Sequence, residues 1–382
     1  MSDAKIINFM GQRKLAAFLS IALVLASIAS LAFRGLNLGL DFLGGTQVEV
    51  TYSSPADLDK ARSSITEAGF RDATVVYFGA ETEVMIRFHG TLEDVALEGI
   101  SSRLNTLIPG ATINEIEKRT QGYEVKLALS DANNLKQVVG ELFPSKFFDA
   151  VEVKQEEGVT NVYFSKTFGD AMTAMLVDTL AQAAAQEVTL NYSESVDSQV
   201  GAEMFENAMM GMLVSLLIVM IYVAFRFQYK FSFGAVAALI HDVIITLGVF
   251  SFFHFDFDLT VFAAILAVIG YSLNDTIVVS DRIRENFRKI RQMEPMDIIN
   301  TSLTQTLGRT LVTSLTTLLV LGALFIFGGE AISGFALALI VGIVVGTYSS
   351  IYVSANTLVA LHIQKEDMIV PVKEGAEFEE VL

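Results

Sequence analysis

The chain contains no cysteine, and its four histidines are scattered through 382 residues. Without cysteine there are no disulfides, thiolate metal sites or cysteine nucleophiles, and cysteine usage gives no information on the redox compartment. The histidines also lack the H-x-x-x-H spacing of a zinc site. A Walker phosphate loop and a G-x-S-x-G nucleophile elbow are missing from the sequence. These absences argue against a hydrolytic enzyme, and we expect no metal and no cofactor.

Basic residues are scarce as well. The chain has 26 Lys and Arg against 43 Asp and Glu, a formal net charge of −17, and 52% of its residues are hydrophobic. Such an acidic, apolar chain is unsuited to the phosphate backbone of nucleic acids. Its apolar residues form six stretches of about 18 residues or more, long enough to cross a bilayer as helices. The sequence therefore predicts an α-helical membrane protein, with helices at Leu15–Phe33, Ala208–Phe225, Phe231–Phe253, Leu259–Ser280, a stretch ending at Phe327, and Gly334–Leu361.

Lysine and arginine in the short loops predict the orientation, because such residues accumulate on the cytoplasmic side of membrane proteins. The opposite loops, residues 254–258 and 328–333, contain neither. We therefore place residues 1–14 and the acidic segment 362–382 in the cytoplasm. A cleaved signal peptide ending near Ala29 is the alternative for the first stretch, whose apolar run is longer than a usual signal core. The orienting bases are Lys5, Arg13, Lys14, Arg226, Lys230, Arg282, Arg284, Arg288, Lys289 and Arg291.

Residues 34–207 carry 27 acids and 13 bases, so most of the negative charge belongs to one exported region. Its pattern of strand, helix, strand, strand, helix, strand occurs twice. We predict two tandem ferredoxin-like modules, 34–120 and 121–207; one larger α+β domain is the alternative. The first set comprises Gln47–Tyr52, a helix after Ser54-Pro55, Ala73–Phe78, Glu83–Phe88 and a helix around Leu92–Leu107. The second, about 76 residues later, comprises Tyr123–Leu129, a helix capped by Ser130 or Asp131, Ala150–Lys154, Asn161–Ser165 and a helix around Phe168–Gln186.

Two opposite charges are predicted at a similar depth in the membrane. Asn274-Asp275 lies 16 residues from the outer end of the fourth stretch, about 24 Å deep at roughly 1.5 Å per residue. If the fifth helix runs unbroken from about Ile299, Arg309 lies about 27 Å deep. An ionisable group there costs about 2.5–3.5 kcal/mol and is a candidate functional site. We expect ionised Asp275 to pair with Arg309 and protonated Asp275 to release it, so that a proton or sodium gradient could move the helices.

Other polar residues in the membrane stretches extend this ion relay. His241-Asp242 is predicted near mid-membrane, about 17 Å below the outer end of the third helix. For each of these residues the alternative is a buried polar clamp that fixes helix packing. Gly342-x-x-x-Gly346 indicates close helix packing without chemistry. Four threonines share one face of the fifth helix and could hold a file of water, whereas three charges past the fourth helix suggest an interfacial anchor: Thr306, Thr310, Thr313 and Thr317, and Asp281, Arg282 and Arg284.

A glycine-rich motif follows the first helix. Residues 39–46 read GLDFLGGT, and their Gly44-Gly45 pair leads into a strand, which suits a backbone turn rather than a phosphate cradle. Further motifs are spread over the membrane part: QVGAE at 199–203, YVAFRF at 222–227, HD at 241–242, GYSLNDTIVV at 270–279, DRIREN at 281–286 and RTLVTS at 309–314. In this order the motifs resemble the SecF proteins, the smaller subunits of the SecD/SecF protein-export family. The signature positions are Gly39, Asp41, Gly44, Gly45 and Thr46, while Leu43 stands where a polar residue is frequent.

The resemblance implies half of a twelve-helix bundle of the resistance-nodulation-division superfamily, in the bacterial inner membrane. It implies SecD, the SecYEG translocon, YajC and unfolded preprotein as partners. It also implies that an ion gradient, of H⁺ or Na⁺, promotes late export and release on the periplasmic side. By matching motifs, Asp275 falls on the family's membrane carboxylate and Arg309 on its associated arginine. The chain departs from the family in having room for two exported modules instead of one.

Two other functions fit part of the pattern. Half of a small-molecule or lipid exporter of the same superfamily would share the membrane carboxylates, but such exporters generally carry both halves in one chain. A scaffold that holds a translocase together without conducting ions would tolerate neutralisation of Asp275. The signature of residues 39–46 with only six helices favours the translocase subunit.

Overall fold

The computed structural model describes residues 6–70, 73–92, 95, 112–118, 123–128, 143–144, 146–147, 150–156, 159–164, 168–290 and 292–368. The chain divides into two compact units. The membrane unit comprises residues 1–38 and 207–382, and the sheet unit comprises residues 39–206.

The six predicted transmembrane helices are confirmed, since the described residues contain six helices long and apolar enough to cross a membrane. The fifth is a single long helix, as the sequence predicted, and it begins four residues earlier than Ile299. Numbered along the chain together with three helices of the sheet unit, the six are α1 (Arg13–Arg34), α5 (Ser198–Arg226), α6 (Tyr229–Phe253), α7 (Leu259–Lys289), α8 (Pro295–Phe327) and α9 (Glu330–Ala360).

Local sequence signals set the helix ends. Helix α6 stops at His254, which adopts the left-handed conformation with φ of 59°. Helix α7 starts after Asp258, whose carboxylate accepts a hydrogen bond from the Val261 N–H at 2.8 Å. Helix α8 starts at Pro295. Proline suits the first helical turn because the N–H groups of that turn have no acceptor within the helix, so the N–H that proline lacks is not missed there. Between α6 and α7 the short strand β10 (Asp256–Phe257) pairs in parallel with β1 (Asn37–Leu38).

Helix α9 lies at the centre of the membrane unit and packs against α1, α6, α7 and α8. Small residues allow this close packing. A β-carbon on Gly342 would overlap the Val268 side chain of α7, and one on Gly346 would lie 3.3 Å from Ser272 Cβ. The predicted Gly-x-x-x-Gly pair therefore faces α7, where it brings the two helix backbones close together.

The sheet unit begins with elements that form its first sheet. In chain order they are the short helix α2 (Leu40–Leu43), then β2 (Gly45–Tyr52), α3 (Leu58–Glu67), β3 (Thr74–Phe78), β4 (Ala80–Phe88), α4 (Phe168–Ala184) and β9 (Val188–Val196). The four strands form an antiparallel sheet in the order β3–β4–β2–β9. Helices α3 and α4 pack against each other and against its strands. This strand and helix order is that of a ferredoxin-like module.

The second sheet lies in the middle of the first module's sequence. Its strands are antiparallel in the order β5–β6–β8–β7, comprising β5 (Thr112–Lys118), β6 (Tyr123–Ala128), β7 (Ala150–Glu156) and β8 (Val159–Phe164). Val125 and Val162 of this sheet belong to the same apolar core as Val48 and Phe168 of the first module. The sheet unit therefore combines two sheets around one core.

This interleaving differs from the predicted consecutive modules, 34–120 and 121–207. Helix α4, which the sequence assigned to the second module, completes the first sheet together with β9. Strand β5, which lies in the predicted first module, pairs with β6 of the second sheet. The repeated sequence pattern indicates only the order of strands and helices along the chain. Which strands pair at the edge of a sheet depends on contacts between residues distant in sequence, so the pattern did not reveal which module each element joins. The predicted helix at Leu92–Leu107 lies largely outside the described residues, and the predicted cap at Ser130 or Asp131 lies wholly outside them.

Candidate functional site

Asp275 of α7 connects three helices of the membrane unit. Its Oδ1 accepts a hydrogen bond from Thr310 Oγ1 of α8 at 2.7 Å. Its Oδ2 accepts one from Ser350 Oγ of α9 at 2.5 Å. The side chain is half-buried. Each carboxyl oxygen is thus held by a hydroxyl group from a different neighbouring helix, so any change at this carboxyl group affects both contacts.

A cavity of about 280 Å³ opens beside Asp275. Arg309 of α8 lines it, and so does Asn274, the predicted relay neighbour of Asp275. Thr313 and Thr317 of the predicted threonine face contribute as well. Polar groups from α7 and α8 therefore surround a space large enough for several water molecules, at about 30 Å³ of liquid volume each.

The predicted ion pair between Asp275 and Arg309 is absent from the described residues. Asp275 is bonded to Thr310 instead, and Arg309 is exposed in the isolated chain. Consecutive residues of a helix point about 100° apart. Arg309 and Thr310 therefore cannot both face Asp275 directly, and the arginine lies at the cavity wall.

Asp242 of α6 is a second carboxylate with hydrogen bonds to neighbouring helices, and it has no solvent exposure. Its Oδ2 accepts hydrogen bonds from Ser272 Oγ of α7 at 2.5 Å and from Ser349 Oγ of α9 at 2.7 Å. Its Oδ1 lies 2.8 Å from Nδ1 of the adjacent His241. Three hydrogen-bonding groups therefore converge on one buried carboxyl group, which is the arrangement a buried charge requires.

His241 is buried with only one of its ring nitrogens bonded. Its Nε2 has no hydrogen-bond partner among the described residues, and its ring stacks on Tyr348 of α9 at a centroid distance of 6.2 Å. An imidazole nitrogen donates a hydrogen bond only in the tautomer that carries its proton there. The contact with Asp242 therefore fixes the orientation of the His241 ring through Nδ1 and leaves Nε2 unbonded among the described residues.

Four consecutive polar residues of α9, Thr347 to Ser350, were not singled out from the sequence. Each contacts a different helix. Thr347 Oγ1 lies 2.7 Å from Ser314 Oγ of α8, and Tyr348 Oη donates to the Ala16 carbonyl of α1 at 2.8 Å. Ser349 reaches Asp242 and Ser350 reaches Asp275. A run of hydroxyl residues in a central helix was the available signal, because successive residues rotate by about 100° and so face all sides.

The other residues predicted on the threonine face and at the interfacial anchor have polar partners other than Asp275. Thr306 and Thr313 donate to carbonyls of their own helix, so only Thr310 of the threonine face reaches a carboxylate. Asp281, from the predicted interfacial anchor, lies 3.1 Å from Arg226 and 3.9 Å from Arg284. Both of these pairs lie outside the Asp275 cavity.

The glycine-rich motif belongs to the sheet unit. Gly39 caps the short helix α2, which contains Asp41, and Gly44 and Gly45 have φ of 70° and 128°. Backbones with such φ values are favourable only for glycine. Thr46 begins β2 and is buried. The motif therefore forms a tight turn into the first sheet and lies outside the membrane cavity.

Among the described residues, no cluster of three or more His, Asp or Glu side chains could hold a metal ion. The membrane site consists instead of two carboxylates, 33 residues apart in sequence, that share α9 through adjacent serines. Hydroxyl groups can both donate and accept. Two such hydroxyl groups hold the half-buried carboxyl group of Asp275 beside the polar cavity.

Two family models match the chain. One is described as "Protein export membrane protein SecD/SecF, C-terminal" and matches residues 176–364, and the other is described as "SecD/SecF GG Motif" and matches residues 29–56. The chain is 41% identical over 379 residues to the protein translocase subunit SecF of Vibrio alginolyticus, covering 99% of this chain and 97% of that protein. It is 38% identical over 365 residues to that of Pseudomonas aeruginosa, with 96% and 94% covered. Against that of Escherichia coli O157:H7 the identity is 35% over 380 residues, with 99% and 95% covered.

Solved structures are similar as well. The crystal structure of SecDF, a translocon-associated membrane protein from Thermus thermophilus, matches with a TM-score of 0.64 at 29% identity over 94% of this chain. SecDF in a super-membrane-facing form matches with a TM-score of 0.56 over 95% of this chain. In both comparisons the chain spans 39% of the length of the solved protein.

Proposed function

Because this chain belongs to the SecF family of protein translocase subunits, we propose that it uses an ion gradient, together with SecD, to promote late preprotein export. In this proposal the coupling ion binds at Asp275, and release of the preprotein occurs on the periplasmic side. The protein acts as a translocase accessory subunit and not as a hydrolase.

One observation carries the proposal. Asp275 is a titratable group bonded to α8 and α9 at the edge of a polar cavity. An ionised carboxylate only accepts hydrogen bonds, whereas a protonated carboxyl group also carries one O–H donor. Where that donor is directed at Thr310 or Ser350, the hydroxyl group accepts instead and directs its own hydrogen elsewhere. Ion binding thus changes the contacts that hold three helices together.

Arg309 has a supporting role in this proposal. Its guanidinium lines the same cavity and remains charged at any physiological pH. A fixed positive charge there opposes the entry of further cations into the cavity. Moving one charge across the membrane provides about 2.3 kcal/mol per 100 mV, so a few ions per cycle could drive a helix rearrangement. Asn274, His241 and Asp242 complete the proposed relay.

The proposed partners follow from the family. The solved SecDF proteins are longer than this chain, which supports SecD as the source of the remaining helices. Helix α5 has very few buried residues in its most apolar stretch, so it offers an apolar surface for helices of another subunit. We further propose SecYEG, YajC and unfolded preprotein as partners, in the bacterial inner membrane with both termini in the cytoplasm and the sheet unit in the periplasm.

The test is release of a newly exported protein from cells whose only copy carries Asp275→Asn. This change keeps the shape of the side chain and removes its charge. We expect release to fall to the level of wild type with a collapsed gradient and to stop responding to the gradient. Asp281→Asn is the matched control, because it makes the same change on the same helix in an exposed ion pair with Arg226.

Either outcome is informative. If Asp275→Asn leaves gradient-dependent release unchanged, Asp275 is not the coupling site, and a scaffold role is favoured when amphiphile efflux is unchanged too. Varying the proton gradient and the sodium gradient separately in wild-type cells identifies the coupling ion. A small-molecule exporter would instead show a changed efflux of amphiphiles in the Asp275→Asn cells, with normal protein release.

A further inference from the structure

The glycine-rich loop of residues 39–46 lies beside the point where the first sheet continues into a membrane helix. Strand β9 ends at Val196 and α5 begins at Ser198, so a single residue separates the sheet from the helix. Gly45 is the register partner of Val196 in the β2–β9 pair. Asp197 caps the helix start, since its carboxylate accepts the Gln199 N–H at 2.8 Å.

Backbone touches backbone at this point. A β-carbon on Gly44 would lie 2.5 Å from Ser198 Cα and 2.7 Å from its nitrogen. A β-carbon on Gly201, in the first turn of α5, would lie 2.9 Å from the Gly44 nitrogen and 3.0 Å from the Phe42 carbonyl oxygen. Real β-carbons essentially never come so close to backbone atoms, so glycine is required on both sides. Two motifs far apart in sequence, GLDFLGGT and QVGAE, therefore meet.

Side chains reinforce the contact. Thr46 Oγ1 and Ser195 Oγ lie 2.9 Å apart, and both hydroxyls can donate or accept. The rings of Phe42 and Phe205 meet edge to face with centroids 5.5 Å apart. Such aromatic pairs contribute beyond their buried area. The loop thus holds the last residues of β9 and the first two turns of α5 at the same time.

We propose that residues 39–46 form a rigid joint that fixes the start of α5 to the first sheet, so that a movement of α5 is passed on to the sheet. Gly44 and Gly201 are positioning residues, and the joint stays closed throughout the export cycle. Two backbones in direct contact move together, because close-packed atoms are nearly incompressible and leave no free space between them. The inference rests on the proposed function, since it presumes a helix movement driven by the gradient.

The first test compares Gly201→Ala with Gly211→Ala in cells that contain no other copy. Both glycines lie in α5 and both substitutions raise helix propensity, but no atom lies within 4 Å of a β-carbon at position 211. We expect Gly201→Ala to lose the gradient-stimulated part of release and Gly211→Ala to keep it. If the two variants behave alike, the joint is not required and the inference is wrong.

The second test closes the joint covalently and remains decisive if Gly201→Ala does not accumulate in the membrane. The chain has no cysteine, so Phe42→Cys with Phe205→Cys introduces one thiol pair. The pair is linked by oxidation or, where the two thiols do not meet, by a short bifunctional methanethiosulfonate that forms reducible disulfides, and the wild type treated in the same way is the control. We expect the disulfide-linked protein to keep gradient-stimulated release. Loss of release on oxidation, with recovery on reduction, would show that the joint opens and would overturn the inference.

Asp275→Asn is measured beside these variants to keep the two proposals apart. If Asp275→Asn abolishes the gradient response but Gly201→Ala does not, only the joint is refuted. If Asp275→Asn itself keeps the response, the proposed coupling site fails first. The disulfide arm still reports whether the joint opens during export, because it compares one protein in two redox states.

Discussion

At the scale of single residues, adjacent serines of α9 divide the membrane site between two carboxylates. Ser349 donates a hydrogen bond to Asp242, and Ser350 donates one to Asp275. The surroundings of the two carboxylates differ. Asp242 is fully buried among three hydrogen-bonding groups, whereas Asp275 is half-buried at a polar cavity. Asp275 lines the cavity, whereas the hydrogen bonds of Asp242 join α6 to α7 and α9 and are expected to contribute to stability, whether or not Asp242 also takes part in the proposed relay.

Replacing Asp242 by asparagine is expected to destabilise the protein by about 1–3 kcal/mol. The amide nitrogen brings two donors to a point where hydroxyl and imidazole donors already converge, so at least one buried donor loses its acceptor. Thermal unfolding of the purified protein in detergent measures the effect. Asp281→Asn, in an exposed ion pair, should change stability by less than about 1 kcal/mol. Equal effects of the two changes would show that the buried hydrogen bonds of Asp242 add no stability beyond an exposed ion pair.

At the scale of helices, small residues decide how closely α9 can approach its neighbours. Gly342 faces Val268, and Gly346 faces Ser272, whose hydroxyl group binds Asp242. The distance between α7 and α9 therefore controls two things, the packing itself and the hydrogen bonds to both carboxylates. A larger residue at this contact is expected to disturb the polar site without touching it.

Gly342→Ala should destabilise the protein by about 1–3 kcal/mol, because the new methyl group overlaps the Val268 side chain. Gly322→Ala in α8 is the control, since no atom lies within 4 Å of a β-carbon there. Combining Gly342→Ala with Val268→Ala makes room for the methyl group and should restore part of the loss. Thermal unfolding of the three variants measures this, and the absence of any recovery would count against the α7–α9 contact.

An ion pair joins the start of α6 to the segment after α9. Lys230 Nζ donates to Asp367 Oδ2 at 2.7 Å, and the Gln364 N–H donates to the same oxygen at 2.7 Å. Burial alone would raise the pKa of Asp367, but these hydrogen bonds and the lysine charge outweigh it and hold the pKa below its ordinary 3.8. A lowered pKa in the folded state stabilises the fold wherever the carboxyl group is ionised.

The stabilisation by Asp367 is therefore expected to be fully present above about pH 5 and to disappear as the pH falls below 3.8. Asp367→Asn should reduce stability by about 1 kcal/mol at neutral pH and by nothing in strong acid. Denaturation of both proteins over this pH range measures the difference. A difference that stays constant down to the lowest pH would show that the ion pair is not its source.

At the scale of the whole molecule, the membrane unit and the sheet unit are formed from interleaved parts of the chain. The membrane unit takes residues 1–38 and 207–382, and the sheet unit lies between them in sequence. Within the sheet unit the second sheet is inserted in the first module in the same manner. The first and last long strands of the sheet unit, β2 and β9, pair with each other, which brings the two ends of that unit together.

The absence of cysteine makes the proposed topology directly testable. Ser63→Cys places a single exposed thiol on α3 of the sheet unit, and Gln364→Cys places one after α9. We expect a membrane-impermeant maleimide to label position 63 from the periplasmic side. Position 364 should be labelled only after the inner membrane is permeabilised. Labelling of both positions from the same side would contradict the proposed orientation.

Hydropathy and motif patterns predicted the helices and strands better than they predicted the contacts between side chains. The six membrane helices, the long α8 and the strands near Gln47, Glu83 and Tyr123 agree with the structure, because each depends on residues close in sequence. The role of Ser349 and Ser350 was not predicted. A serine in a membrane helix can satisfy itself on its own backbone, so its type alone does not reveal a carboxylate partner.

The sequence by itself determined that the chain has six helices long and apolar enough to cross a membrane, that it is similar to the SecF proteins, and that Asp242 and Asp275 lie within two of these helices. These properties follow from composition and order along the chain. Only the tertiary structure decided that Asp275 binds Thr310 and Ser350 instead of Arg309, and that β9 completes the first sheet. Such choices depend on how each helix is rotated and how closely its neighbours approach, and these are set by packing between residues distant in sequence.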